Sequence, residues 1–178
     1  MKKLLIIFLL FQTPVCSQNL VNIYLAGGCF WCMEESFEKT DGILDVISGY
    51  SGGTTDNPTY KEVTYGKTGH FETVKITYDS EVINYKKVLD VYWKNVDPFD
   101  SQGQFCDKGY SYRSVIFYKN ANQKKIIDQS IKNVWRHRLR FGHRTCRRLH
   151  AHPRSDPSCY RSWCGLSILG LFVPSFQF

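Results

Sequence analysis

A strand-to-helix turn at residues 27–32 (GGCFWC) constrains the fold of this 178-residue chain most strongly. Residues 21–26 before it (VNIYLA) are β-branched, aromatic and aliphatic, which is typical of a short strand. Residues 30–37 after it place apolar side chains at helical spacing. The two glycines permit positive φ and bring backbone N–H groups close together. The pattern therefore predicts that Cys29 lies where a strand turns into a helix.

The surroundings predicted for Cys29 favour a reactive thiol. A helix N-terminus and converging amide groups favour the thiolate, which is the nucleophilic form of cysteine. The alternative is a buried structural cysteine in a glycine-rich turn. Cys32 follows one helical turn later, close enough for a disulfide, so the pair fits a redox, structural or metal-binding role. Cys106 alone does not supply the second matched pair that a four-cysteine zinc site needs, so we predict no metal site.

Glu72 is the most informative acid. Residues 71–78 (FETVKITY) alternate, and Glu72 shares one strand face with Val74, Ile76 and Tyr78. A carboxyl group on an apolar face should have a raised pKa, which suits a general acid. The alternative is that Glu72 begins the strand at a solvated edge. Tyr60, Asp107 and Tyr112 lie in or beside predicted loops, where single tyrosines are usually structural.

The order of the predicted elements indicates an α+β fold. Strands are predicted at 21–26, 43–50, 71–78 and 112–118, and residues 60–65 also look extended. Helices are predicted after residue 29, over 85–93 and from a capping pair at Asn120 and Gln123 to about residue 132. This order matches a split βαβ, ferredoxin-like two-layer sandwich, with a mixed or antiparallel sheet and helices on one face.

Residues 1–17 have the pattern of a signal peptide. Lys2 and Lys3 precede an apolar run at 4–11 that is too short to span a bilayer, and small residues before position 18 offer a cleavage site. We therefore expect export to the bacterial periplasm or cell envelope, without stable membrane insertion. A catalytic domain is expected at residues 18–133.

The composition changes abruptly at residue 134. Residues 1–133 carry 14 Lys and 1 Arg against 15 acids, whereas residues 134–178 carry 8 Arg, no Lys and 1 acid. Three of the seven cysteines and four of the five histidines also lie in this last segment. We interpret 134–178 as an atypical Arg-, His- and Cys-rich tail of the kind that a shifted reading frame produces, with a genuine divergent tail as the alternative.

Several separate motifs together resemble the A-type methionine sulfoxide reductases, the peptide-methionine (S)-S-oxide reductases. The matching stretches are 27–34 (GGCFWCME), 49–53 (GYSGG), 57–60 (NPTY), 68–72 (TGHFE), 97–98 (DP) and 106–114 (CDKGYSYRS). The likeness runs from about residue 23 to about residue 132, and the order of the motifs makes it specific. After that point the sequence departs from the family pattern.

The resemblance implies a role for each candidate residue. Cys29 would attack the sulfoxide sulfur, and Glu72 would protonate the sulfoxide oxygen. Tyr60 and Tyr112 would hydrogen-bond that oxygen. The substrate would be held by three further residues, Phe30 and Trp31 at the S-methyl group and Asp107 beside it.

The resemblance also implies how the enzyme is regenerated. Cys32, with Cys106 in reserve, would resolve the Cys29 sulfenic acid to a disulfide. A thioredoxin-like reductant would then restore the thiols, with no cofactor, and the enzyme would repair proteins under oxidative stress as a monomer. Two other hypotheses are a thiol-disulfide oxidoreductase that uses Cys29 and Cys32, and a non-catalytic protein whose basic tail binds an anionic partner. A nucleic-acid partner is not expected for an exported chain.

Overall fold

A six-stranded sheet forms the centre of the structure, a computed structural model that describes residues 18–149, 169–172 and 176–177. Its strands, in chain order, are β1 (Leu20–Ala26), β2 (Ile43–Ser51), β3 (Phe71–Asp79), β6 (Val115–Tyr118), β7 (Leu169–Phe172) and β8 (Phe176–Gln177). The spatial order is β7-β6-β1-β3-β2-β8. All neighbouring strands are antiparallel except the parallel pair β6 and β7. The expectation of an α+β fold with a mixed sheet is therefore confirmed.

The helices are α1 (Phe30–Glu38), α2 (Tyr60–Thr64), α3 (Tyr85–Asn95) and α4 (Ala121–Leu149), with a 3-10 helix at Tyr110–Tyr112. The main core forms where one face of β3 meets α1, α3 and α4. Val74 and Ile76 from the strand pack there with Phe37, Leu89 and Ile127 from the three helices, all of them at most 1% exposed. The period-two pattern of β3 and the helical spacing of α3 produce this core directly.

The prediction of an extended segment at 60–65 is wrong, because residues 60–64 form α2. A capping box starts this helix. The Thr59 hydroxyl accepts a bond from the Glu62 backbone N–H, and the Glu62 carboxylate accepts one from the Thr59 N–H at 2.8 Å. The Thr-x-x-Glu signal was present in the sequence. It decides the structure here because the segment is too short for hydrophobic periodicity to do so.

Residues 97–109, where no helix or strand is predicted, contain a small hairpin of β4 (Gly103–Gln104) and β5 (Asp107–Lys108). The predicted strand 112–118 is shorter at its start than expected, because Tyr112 belongs to the 3-10 helix and the strand begins at Val115. Strands of two residues have no readable periodicity, which explains why the sequence did not reveal the hairpin.

Helix α4 begins where predicted but extends further. The Asn120 side chain accepts a bond from the Gln123 N–H at 2.9 Å, so the predicted cap is confirmed. The helix continues past the expected end near residue 132 to Leu149. Residues 133–141 contain neither Gly nor Pro, and the Trp135 ring packs edge-on against Phe99 at 5.0 Å. Both features favour continuation of the helix.

The predicted signal peptide at 1–17 and much of the Arg-rich tail lie outside the described residues. In the part of the chain that the structure describes, none of the helices combines the length and the apolar character needed to cross a membrane.

Candidate active site

The turn between β1 and α1 places Cys29 at the N-cap of α1, as the sequence predicted. The end of β1 is fixed because the buried Tyr92 hydroxyl donates to the Ala26 carbonyl at 2.8 Å. Gly28 has φ +88°, and a Cβ at this position would lie 2.7 Å from the Gln104 Cβ. Only glycine fits this conformation and this space. The glycine therefore lets the backbone carry Cys29 onto the helix N-terminus while another loop packs directly against the turn.

Glu72 lies in the core and faces the start of α1. Its side chain is 1% exposed, and Oε2 accepts a bond from the Phe30 backbone N–H at 3.1 Å. Burial raises the pKa of Glu72 to about 7, with a further increase from the negative charge of Asp107. The Phe30 N–H and the Tyr112 hydroxyl act in the opposite direction. The predicted raised pKa is confirmed, and the alternative of a solvated strand end is wrong because burial excludes water.

One oxygen of this carboxyl group has no partner. Glu72 Oε1 is buried and makes no hydrogen bond within the described part of the chain. Buried polar atoms are usually paired, so an unpaired one calls for an explanation. Near neutral pH a protonated Oε1 has a proton to donate to an oxygen atom that enters the site. The geometry is therefore that of a general acid waiting for its acceptor.

An aromatic wall stands beside Cys29. Phe30 is buried and its ring centroid lies 5.2 Å from that of Trp31, which is 61% exposed. Trp31 stacks on Tyr60 at 5.9 Å with an interplanar angle of 19°, and Phe30 also packs on Tyr50 at 5.7 Å. The exposed edge of this wall offers an apolar contact for a small group held near the Cys29 sulfur.

The two tyrosines predicted for the site, Tyr60 and Tyr112, come together, and Tyr50, which was not predicted as a site residue, lies with them. Tyr50 is the cross-strand partner of Glu72 in the β2–β3 ladder. Burial raises the pKa of Tyr112, and its hydrogen bond to Tyr60 raises it further. Tyr112 therefore keeps its proton near neutral pH, and its hydroxyl group lies within hydrogen-bond reach of both Tyr60 and the Glu72 carboxyl group.

The two cysteines of the motif interact. Cys32 donates a hydrogen bond to Cys29, and this bond, followed by burial, raises the pKa of the Cys32 thiol. Both sulfurs are free thiols, and Cys32 is the more exposed of the two. This is the arrangement expected for a nucleophile and the thiol that later resolves it.

A cavity of about 220 Å³ opens beside the thiols, on the side of α3 and the β4–β5 hairpin. It is lined by Gly27, Gly28, Cys29, Cys32, Met33, Ser36, Lys94, Asn95, Gln104, Phe105 and Asp107. Asp107 is exposed on β5. The reserve cysteine, Cys106, is an exposed free thiol at the tip of the hairpin and does not line this cavity. The structure thus groups seven of the other eight predicted residues with Cys29 and leaves Cys106 at the periphery.

Two buried polar residues near the site were not predicted from the sequence. The His70 ring is 1% exposed, and its Nδ1 accepts from the Gly53 N–H at 3.2 Å while its Nε2 donates to the Thr55 carbonyl at 2.9 Å. It fastens the loop that leads from β2 to Tyr60. Gln104 fastens the loop that leads to Asp107. His70 had an indirect signal in the sequence, because it falls within the 68–72 motif of the family resemblance, whereas Gln104 lies outside every quoted motif and had no signal.

No cluster of three or more His, Cys, Asp or Glu side chains able to hold a metal ion occurs among residues 18–149, 169–172 and 176–177.

The fold and this site define an α+β protein with paired thiols at a helix N-terminus, next to a buried carboxyl group whose raised pKa leaves it partly protonated near neutral pH. Residues 21–149 match the family model described as peptide methionine sulfoxide reductase. The match covers well over half of the chain, and the chain belongs to this family.

Individual relatives support the assignment. The chain is 54% identical over 109 residues to the peptide methionine sulfoxide reductase MsrA of Bacillus licheniformis, which covers 61% of this chain and 60% of that protein. It is 52% identical over 118 residues to the MsrA/MsrB protein of Vibrio cholerae, which covers 66% of this chain and 31% of that protein. The chain therefore spans less than two thirds of the length of these curated relatives.

A solved structure shares the fold. The structure of Mxr1 from Saccharomyces cerevisiae in reduced form matches with a TM-score of 0.66 and 27% identity, over 88% of this chain and 78% of that chain.

Proposed function

We propose that this chain reduces the S epimer of methionine sulfoxide, free or within proteins, to methionine. The observation that carries the proposal is the buried Glu72 carboxyl group, whose unpaired Oε1 lies beside the helix N-terminus that holds Cys29. A sulfoxide needs a nucleophile for its sulfur and a proton for its oxygen, and these two groups supply them. The family and its methionine sulfoxide reductase relatives support the same reaction.

In the first step the substrate S-methyl group rests on Phe30 and Trp31, and Asp107 helps to place the substrate. The Cys29 thiolate attacks the sulfoxide sulfur while Glu72 transfers its proton to the oxygen. The Tyr60 and Tyr112 hydroxyls stabilise the charge on that oxygen, as donors do in an oxyanion site. The hydroxyl group passes to the Cys29 sulfur, and methionine leaves. The substrate gains two electrons, and Cys29 is oxidised to a sulfenic acid.

In the second step the Cys32 thiol attacks the Cys29 sulfenic acid. A sulfur–sulfur bond forms, and the hydroxyl group leaves as water with the proton that Cys32 releases. A dithiol reductant of the thioredoxin type returns two electrons and restores both thiols by disulfide exchange. Every step uses protein side chains alone. We propose that the chain works as a monomer in the repair of oxidised proteins, and that it needs no cofactor.

We also propose that the protein is exported and that its catalytic domain comprises residues 18–133. The pattern of residues 1–17 supports export, and residues 18–133 hold every residue assigned to the reaction. The strand order β6-β1-β3-β2, with helices in the connections, supports the ferredoxin-like description of the sheet.

The test is stereo-resolved consumption of racemic N-acetylmethionine sulfoxide, with dithiothreitol as the reductant. We expect the S epimer alone to disappear and N-acetylmethionine to form in equal amount, measured by chiral chromatography. Consumption of both epimers at the same rate, or of neither by a folded protein, would contradict the proposal. The alternative, a thiol-disulfide oxidoreductase, is favoured only by the Cys29–Cys32 contact. It would reduce insulin disulfides and leave both sulfoxide epimers intact.

Replacement of Cys32 with serine should separate the two steps. The pre-reduced Cys32→Ser variant should form one equivalent of methionine per enzyme and then stop, because Cys29 remains as a sulfenic acid without its resolving thiol. Rapid quenching measures the methionine, and dimedone labels the sulfenic acid. Continued turnover with a thioredoxin-like reductant would show that another thiol resolves Cys29. Loss of that turnover in the double variant Cys32→Ser/Cys106→Ser would identify the second thiol as Cys106.

A further inference from the structure

The buried side chain of Gln104 anchors the loop that leads into the β4–β5 hairpin. It is 1% exposed, and its amide group makes three hydrogen bonds. Oε1 accepts from the Asp97 N–H at 2.6 Å, and Nε2 donates to the carbonyl groups of Asp97 at 2.8 Å and Gly103 at 2.6 Å. One side chain thus closes the loop from Asp97 to the hairpin by three hydrogen bonds with backbone groups.

The same residue touches the catalytic turn. In the β4–β5 hairpin, Gln104 is the cross-strand partner of Asp107. On its other side, the Gln104 Cβ lies 2.7 Å from the place that a Cβ on Gly28 would occupy. Gly28 immediately precedes Cys29. Gln104 is therefore the structural link between the strand that carries Asp107 and the turn that carries the nucleophile.

We propose that Gln104 is a positioning residue for the sulfoxide reaction, because its buried amide holds the β4–β5 hairpin against Gly28 and so keeps Asp107 in place beside the two thiols. The shared cavity supports this placement, since Gln104 and Asp107 line it together with both thiols. The inference rests on the proposed function insofar as it takes Glu72 as the acid.

The charge of Asp107 gives this placement a chemical effect on Glu72. After burial, the negative charge of Asp107 is a further cause that raises the pKa of Glu72. The other titratable groups that face this carboxyl group are Tyr50 on β2 and Tyr112 on the 3-10 helix. Burial raises the pKa of both phenols, so they are neutral near pH 7. Asp107 thus supplies a negative charge at Glu72 where these two phenols supply none.

The negative charge of Asp107 also raises the pKa of Cys32. After the hydrogen bond to Cys29 and the effect of burial, the charges of Cys29, Asp107 and Glu35 raise the pKa of the Cys32 thiol further. Cys29 is the N-cap residue of α1 and Glu35 lies within this helix, whereas Asp107 belongs to the hairpin. Of these three charges, release of the hairpin should therefore weaken the effect of Asp107 alone.

The first experiment compares Gln104→Met with Gln102→Met. Methionine keeps the length and apolar packing of glutamine but makes none of the three bonds, and Gln102 is an exposed glutamine in the same loop. We expect the alkaline limb of the single-turnover pH profile to move to lower pH in Gln104→Met, because the negative charge of Asp107 then raises the pKa of Glu72 less. The shift should be on the order of half a pH unit, since water screens the exposed Asp107 charge. Gln102→Met should keep the wild-type limb.

Asp107→Asn should produce the same shift, and the double variant Gln104→Met/Asp107→Asn should add nothing to it. A Gln104→Met enzyme that loses activity equally at every pH, with its alkaline limb unmoved, would overturn the inference and leave Gln104 as a purely structural residue. Thermal unfolding is measured for each variant. If Gln104→Met does not fold, Gln104→Asn, which keeps an amide but shortens its reach, takes its place in the comparison.

A second readout does not depend on sulfoxide chemistry. The rate of Cys32 alkylation by iodoacetamide, resolved by peptide mass spectrometry, reports the thiolate fraction of this cysteine. We expect an increase of about threefold at pH 7.5 in both Gln104→Met and Asp107→Asn, the change that corresponds to half a pH unit. If the wild-type protein reduced no sulfoxide, the proposed function would fail while this measurement still tested Gln104. An unchanged alkylation rate in Gln104→Met would refute the positioning role.

Discussion

Replacement of Cys29 with serine should abolish methionine sulfoxide reduction, with a loss of roughly 10³-fold or more. A serine hydroxyl is not ionised at neutral pH and cannot take up the oxygen as a sulfenic acid, so neither the attack nor the transfer of the hydroxyl group can occur. The fold should survive, since Cys29 is an N-cap residue whose side chain makes no capping bond and serine is itself a favoured N-cap.

Single-turnover methionine formation by pre-reduced protein is the appropriate measurement, because it excludes effects on the reductant. Cys146→Ser, a replacement of the same kind on α4, serves as the matched control and should keep wild-type turnover. Sustained methionine formation by Cys29→Ser would contradict the assignment of Cys29 as the nucleophile, and circular dichroism would show that any loss is not due to unfolding.

Replacement of Glu72 with glutamine should lower the rate of the first step by roughly 10²- to 10⁴-fold. Glutamine has nearly the same shape and retains an acceptor for the Phe30 N–H, so the start of α1 should stay in place. It has no acidic proton to give to the sulfoxide oxygen. Glu81→Gln, at an exposed position after β3, is the matched control and should leave the rate unchanged.

The pH profile tests the same residue in the wild-type protein. The acid must be protonated to act, and its pKa is raised to about 7. Protonated Glu72 should therefore support the first step below pH 7. Well above pH 7, the rate of this step should fall about tenfold per pH unit. This limb should vanish in Glu72→Gln, whose residual activity depends on other groups. A glutamine variant that keeps both the wild-type rate and the alkaline limb would exclude Glu72 as the acid.

The positions of Cys29 and Glu72 could be predicted from the sequence because each depends on a local pattern. The glycine pair between a strand pattern and a helix pattern placed Cys29 at a helix N-terminus. The alternation of β3 put Glu72 on the same face as Val74 and Ile76, and this face proved to be buried. Periodicity was sufficient for both residues since neighbours within a few positions determine which way they point.

The parts that escaped prediction depend on hydrogen bonds rather than on periodicity. Helix α2 exists because of a capping box, and the hairpin exists because Gln104 bonds to the backbone of Asp97, seven positions earlier. His70 holds Gly53 from 17 positions away. A polar residue gives no sign in the sequence of whether its partner is water or a distant backbone group, so these fastening points become visible only in three dimensions.

The order of the strands in the sheet affects which sheet edges are exposed while the chain is being synthesised. Its two outermost strands, β7 beside β6 and β8 beside β2, both come from residues 169–177. During synthesis the inner strands are complete long before these residues appear, so the nascent sheet exposes unpaired backbone at both margins. Such margins recruit strands from other chains. A polypeptide interrupted before residue 169 would keep every residue assigned to catalysis and still be prone to self-association.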